Sequence, residues 1–76
     1  MKELLEIIAK ALVDNPDEVV VNEVQGEKSI ILELRVSDED MGKVIGKQGR
    51  IAKAIRTVIK AAAVKESKWV VVEIIQ

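Results

Sequence analysis

Apolar residues recur along this chain with distinct spacings, and each spacing predicts an element. Leu4, Leu5, Ile8 and Leu12 alternate with Glu3, Glu6 and Lys10 at helical intervals, which predicts an amphipathic helix over residues 2–13. Asp14-Asn15-Pro16-Asp17 ends it, because proline disfavours helical geometry in the residue before it. Val19-Val20-Val21 then opens a β-branched stretch to Val24, the composition of a strand. Gln25-Gly26-Glu27-Lys28 has turn character. Beyond it Ile30, Leu32, Leu34 and Val36 alternate with Ile31, Glu33 and Arg35, the mark of a strand with one buried face.

Ser37-Asp38-Glu39-Asp40 has the spacing of a capping box, with Ser37 as the cap and Asp40 three residues on. Acids in a first turn also suit the helix dipole. A short helix is expected to Ile45, stopping at Gly46. After a second glycine, Ile51, Ile55, Val58, Ile59 and Ala62 fall on one face of a longer helix to Val64. At 100° per residue, Arg50, Lys53, Arg56 and Lys60 gather on a separate flank of it. Trp69 to Ile75 reads as a third strand. The order helix, strand, strand, helix, helix, strand predicts an α+β fold, a three-stranded sheet with three helices packed on one face. If Ile30, Leu32, Leu34, Val36, Val70, Val72 and Ile74 face the helices, then Ile31, Trp69, Val71 and Ile75 lie on the other side. A contiguous apolar group there implies a partner, either a second copy or another protein.

Seventy-six residues give one expected domain, 1–76. A chain this short buries only about 60% of its unfolded surface, and with no cysteine it has no disulfide to help. The absence of histidine and cysteine removes the usual zinc ligands, so neither metal nor cofactor is expected. Catalysis is not expected either, since histidine, cysteine and tyrosine are all missing and no acidic pair sits near a plausible pocket. The first residues carry acids where a signal peptide needs an apolar core, and no apolar run approaches the ~20 residues that span a bilayer. These features predict a cytoplasmic protein without membrane contact.

Charge changes the picture more. Residues 1–40 hold four basic and eleven acidic residues, whereas residues 41–76 hold eight basic and two acidic. No acid occurs between Met41 and Lys65. A net charge of −1 thus conceals a local basic face, which matters more to a polyanion than the total.

That face contains Val44-Ile45-Gly46-Lys47-Gln48-Gly49-Arg50. Glycine reaches backbone conformations closed to other residues and carries no side chain to hold a ligand away. Gly49 opens the second helix, whose first amides favour an anion, and Lys47 adds a mobile cation. Phosphate is the fitting ligand, contacted by Lys47 and Arg50 at the loop and by Lys43, Lys53 and Arg56 beside it; Lys60 lies further off. A glycine at a helix junction can equally serve only to turn the chain, and G-x-x-G by itself is a weak signal. No Gly-Lys-Ser/Thr ending is present, so this is not the loop of a nucleotide triphosphatase.

The apolar-Ile-Gly-x-x-Gly core, its place between two helices and the element order together resemble a type II KH domain. Met41 to Arg56 in particular is similar to the small bacterial single-KH-domain RNA-binding proteins of the KhpA family. The resemblance covers essentially the whole chain. It implies a loop that clamps the backbone of single-stranded RNA, with Gly46, Lys47, Gln48 and Gly49 at the phosphates. It further implies an aliphatic groove for the bases, with Val44, Ile45, Ala52 and Ile55 on its helical side. Many KH domains carry isoleucine where this chain has Ala52, three positions after the second glycine; Ile51, one place earlier, is expected to point into the core. The resemblance implies a homodimer or a complex with a Jag-type KH protein, and work as an RNA chaperone or adaptor. A phosphate clamp does not read a 2′-hydroxyl, so single-stranded DNA fits too. The alternative is a protein-interaction module with vestigial RNA binding, against which stand both retained glycines and Lys47. Trp69 is the sole aromatic residue, too few for a stacking platform of the RRM or OB type, and it is expected to pack in the core or at the sheet edge.

Overall fold

The computed structural model describes residues 1–75; Gln76, where the expected domain ends, lies outside the described residues. The elements are α1 (Lys2–Leu12), β1 (Val20–Gln25), β2 (Ser29–Arg35), α2 (Met41–Ile45), α3 (Arg50–Ala63) and β3 (Trp69–Ile75). Single 3-10 turns at Pro16–Glu18, Asp38–Asp40, Lys47–Gly49 and Val64–Glu66 join or extend them. The order is the one the sequence predicts, and most boundaries agree within a residue or so.

The sheet runs β1-β2-β3, with β2 in the middle. β1 pairs with it antiparallel, Val21 opposite Leu34, and β3 pairs parallel, Leu32 opposite Val72. All three helices cover one face. On that face Val21, Ile30, Leu32, Leu34, Val70 and Val72 meet Leu5 and Ala9 of α1, Val44 of α2 and Ile55, Ile59 and Ala63 of α3. Leu5, Leu32, Leu34, Val44 and Ile59 are completely buried, and each such side chain contributes about 1.5–3 kcal/mol relative to exposure.

Two details of the packing differ from the sequence reading. The face of α3 that enters the core is Ala52-Ile55-Ile59-Ala63. Val58 is therefore exposed, Ala62 half-buried, and Ile51 packs only against the core margin. Leu4, Ile8 and Leu12 of α1 lie along the adjacent side of α3 and form with Ile51, Ala54 and Val58 an open apolar groove of about 540 Å³. The second difference is Trp69, which is 78% exposed and takes no part in the core.

The outer face of the sheet is open. In register there, Val24, Ile31 and Val71 form one row, and Val20, Arg35 and Ile75 another. Between them Glu33 lies beside Glu73, a like-charge pair that disfavours the isolated sheet slightly.

Candidate nucleic-acid interface

The turn between α2 and α3 uses three unusual conformations within four residues. Gly46 ends α2 with φ 77° and ψ 174°, and Gly49 precedes α3 in the left-handed region with φ 75° and ψ 13°. The first of these is open essentially to glycine alone. Gln48, between them, is also left-handed, with φ 57°, uncommon for a residue with a Cβ. A side chain at Gly46 would collide with Ile51, whose Cγ1 would lie 2.5 Å from the new Cβ, whereas a Cβ at Gly49 would meet nothing. The first glycine therefore answers both a backbone and a packing demand, the second only a backbone one.

The Gly49 amide donates to the Gly46 carbonyl at 3.2 Å. Lys47 and Gln48, first in the turn, carry amides with no acceptor inside it. The side chains of Lys47, Gln48, Arg50 and Lys53 are exposed. Arg50 donates through Nη2 to Gln48 Oε1 at 3.2 Å, so the loop has its own internal brace. Among the described residues, none of Lys47, Arg50, Lys53, Arg56 and Lys60 forms an ion pair.

Lys43 is different. Its Nζ lies 2.9 Å from Asp14 Oδ2 and 3.4 Å from Asp40 Oδ1, and bonds to both carboxylates raise its pKa. It is tied down by acids from two parts of the chain, both of them outside the acid-free segment in which the sequence places it.

Asp40 has a larger role than a capping acid. Ser37 makes no side-chain cap; its hydroxyl instead donates to Asp40 Oδ2 at 2.9 Å. Asp40 is completely buried. It also accepts from the Asp14 amide at 3.2 Å, and from the Asn15 amide and side-chain Nδ2 at 3.0 Å each. Burial pushes its carboxyl upward, but the bonds from the Asn15 side chain, the Asp14 amide, Ser37 and the Asn15 amide outweigh burial and hold it well below the usual carboxylate range. Asp40 thus fastens the end of α1 to the start of α2, and α2 carries the loop. Sequence spacing does not reveal this, because the partners lie 25 and 26 residues away.

Of the aliphatic residues expected at the groove, Val44, Ala52 and Ile55 are buried and Ile45 is half-buried. Val44 exposes no surface at all, so it supports the loop from beneath. On the other side of α3, half-buried Arg56 donates from Nε to the Val72 carbonyl at 3.2 Å, bridging the helix to the free edge of β3. Among the described residues no cluster of metal-ligating side chains occurs, and no helix is long and apolar enough to cross a membrane.

A two-helix junction with a glycine loop, set on a three-stranded mixed sheet, defines the KH class of fold. A family model described as "KhpA/KhpB, KH domain" matches residues 2–74, and the chain belongs to that family, which is non-enzymatic. Relatives named RNA-binding protein KhpA include that of Clostridium perfringens, 81% identical over 99% of this chain and 100% of the relative. The one from Clostridium acetobutylicum is 83% identical over the same shares. Among solved structures, Era in complex with MgGDPNP and nucleotides 1506–1542 of 16S ribosomal RNA is similar in fold. Its TM-score is 0.67 at 19% identity, over 96% of this chain and 28% of that one.

Proposed function

We propose that this chain is an RNA-binding KH module that holds short single-stranded RNA by its backbone at Gly46–Gly49. The observation that carries this reading is the loop itself: strained and exposed at Lys47 and Gln48, whose amides have no acceptor within the turn, with cations at Lys47, Arg50 and Lys53 that form no ion pair among the described residues. The relatives' shared name, RNA-binding protein KhpA, supports it. Phosphates sit against the loop amides and are neutralised by Lys47, Arg50 and Lys53. Bases lie between α3 and the edge of β3, where Ile45 and Arg56 are the accessible side chains; Val44, Ala52 and Ile55 shape the groove from within. Lys43 serves mainly to fasten α2. Contacts to phosphate position a strand without reading its sequence, which suits an RNA chaperone or post-transcriptional adaptor in the bacterial cytoplasm, and single-stranded DNA fits the same clamp because it does not read a 2′-hydroxyl.

A single clamp binds weakly, and pairing with a second copy or a Jag-type KH protein would present two clamps to one strand. Two surfaces support such pairing: the apolar groove between α1 and α3 and the outer row Val24-Ile31-Val71. Sedimentation velocity of Val58→Glu and Val71→Glu separates them, and a wild-type monomer at high concentration removes the homodimer.

The clamp is tested with Lys47→Asp/Gln48→Asp against a pool of short RNAs at low salt, with circular dichroism to check folding. A folded variant that no longer binds supports the clamp. Equal binding by both proteins would turn the reading toward a protein-interaction module.

A further inference from the structure

A cavity of about 480 Å³ opens at the end of α3 away from the glycine loop, where the helix, the Val64–Glu66 turn and the start of β3 meet. Its lining includes Ala63, Val64 and Val71 together with Lys60, Lys68 and Trp69. Val64 and Trp69 are 75% and 78% exposed. The only aromatic side chain of the protein is thus spent on a surface cavity, where it adds little to the core.

We propose that this cavity is a second nucleotide subsite, in which a base of the strand held by the glycine loop stacks on Trp69 while Lys60 and Lys68 neutralise its phosphates. The proposal rests on the RNA-binding reading above and extends it. Charge favours it over an apolar protein partner. From Lys60 to Lys68 the chain carries three lysines against Glu66 alone, and neither Lys60 nor Lys68 is in an ion pair among the described residues. An apolar partner would have to strip water from both ammonium groups, whereas a nucleic-acid backbone satisfies them. These lysines also offset the negative end of α3.

Continuity favours it as well. Lys53, Arg56 and Lys60 lie within a 60° sector of α3, by 100° per residue, so a basic stripe leads from the loop to the cavity. α3 covers about 20 Å from Arg50 to Ala63 at 1.5 Å per residue. A stacked strand advances about 3.4 Å per nucleotide, so the four nucleotides a KH loop clamps span about 14 Å, and two or three more reach Trp69. An indole face accepts any base, which matches a clamp that does not read sequence.

Trp69 is its own reporter, because no tyrosine or phenylalanine shares its fluorescence. The probes are random-sequence RNA pools of four and eight nucleotides, mixed with the full chain at low salt. The eight-nucleotide pool should quench Trp69 emission and the four-nucleotide pool should not. Trp69→Leu should weaken the longer pool about tenfold, within the range for loss of one stacked base, and leave the shorter one unchanged. Lys60→Glu/Lys68→Glu, which retains the indole, should lose the quench. Its main-chain bond to Lys28 is kept in Trp69→Leu, and circular dichroism checks that both variants fold. If both pools bind equally and emission is unmoved, while Lys47→Asp/Gln48→Asp abolishes binding, the subsite is overturned and the clamp stands. Binding of neither pool overturns both. A concentration-dependent emission shift without RNA marks a protein interface and overturns the subsite.

Discussion

The two ends of α2, a helix of five residues, are built on opposite principles. At its start, Asp40 is buried with hydrogen bonds to both carboxylate oxygens. At its end, the glycine loop is strained, exposed and short of acceptors for its first amides. The lysines of the two ends differ the same way: Lys43 is held by two acids, and Lys47 by none among the described residues. A phosphate clamp needs donors that are fixed in place and yet unpaired. The short helix separates these requirements, with fixation supplied at Asp40 and unsatisfied donors left at the loop.

Breaking the fixed end should have the largest effect. Asp40→Ala leaves the Asp14 and Asn15 amides, the Ser37 hydroxyl and Lys43 without their common acceptor, and it should lower the thermal midpoint by more than about 10 °C, read by circular dichroism. The same residue sets a pH dependence. Because its carboxyl is depressed in the fold, its contribution is complete above the unfolded value of about 3.9 and fades as pH falls toward the folded value. Lys43, raised in the fold, keeps its contribution below about 10.4 and loses it as pH rises through its folded value. Thermal midpoints measured from about pH 5 down to about pH 2 should fall less steeply in Asp40→Asn than in wild type.

Next come the glycines, which sharpen the comparison within the loop. Gly46→Ala faces both a forbidden backbone region and Ile51, and should cost about 1–3 kcal/mol of backbone strain before the collision is added. Gly49→Ala meets only the left-handed penalty of about 1–2 kcal/mol. Urea unfolding of the two variants should rank them in that order; the reverse rank would mean that Ile51 moves aside freely. The smallest effect tests the lysines. Lys43→Met should change RNA affinity less than about twofold and stability only slightly, since solvent screens its ion pairs. Lys47→Met should flatten the dependence of log affinity on log salt by nearly one contact's worth, measured by fluorescence anisotropy.

The contrast also explains what the sequence could disclose. Periodicity located α1, β2 and α3, each of which buries a stripe within its own span, whereas β1 was legible from its β-branched run and α2 from the spacing of Ser37, Asp40 and Gly46. Alternation put Ile30, Leu32 and Leu34 inward and Ile31 and Val71 outward, as found. Ser37-Asp40 matched a capping box by spacing, yet Asp40 answers to Asp14 and Asn15, partners set only by the packing of α1 against α2. Lys43 read as a free cation for the same reason. On α3 the apolar residues cover more than half the circumference, so pattern alone could not say that Ala52 and Ala63 enter the core while Val58 stays outside. That choice is set by how α3 lies on the sheet, with Leu4, Ile8 and Leu12 of α1 flanking its other apolar side. Trp69 misled because hydrophobicity counts size, whereas its place at the first position of an edge strand leaves one face uncovered.

The parallel pairing of β2 with β3 has a consequence for how the protein forms. Ile31 meets Val71, forty positions along the chain, and α2, the glycine loop and α3 all lie inside that closure. The β1–β2 hairpin needs only a short turn, so its ladder is kinetically cheap, while the parallel ladder must wait for a long loop to close. Pulse-labelling hydrogen exchange should therefore protect β1 amides before those of β3. The groove between α3 and β3 would then come into being only at that late step, and a nascent or half-unfolded chain could hold its hairpin without yet offering RNA a place to lie.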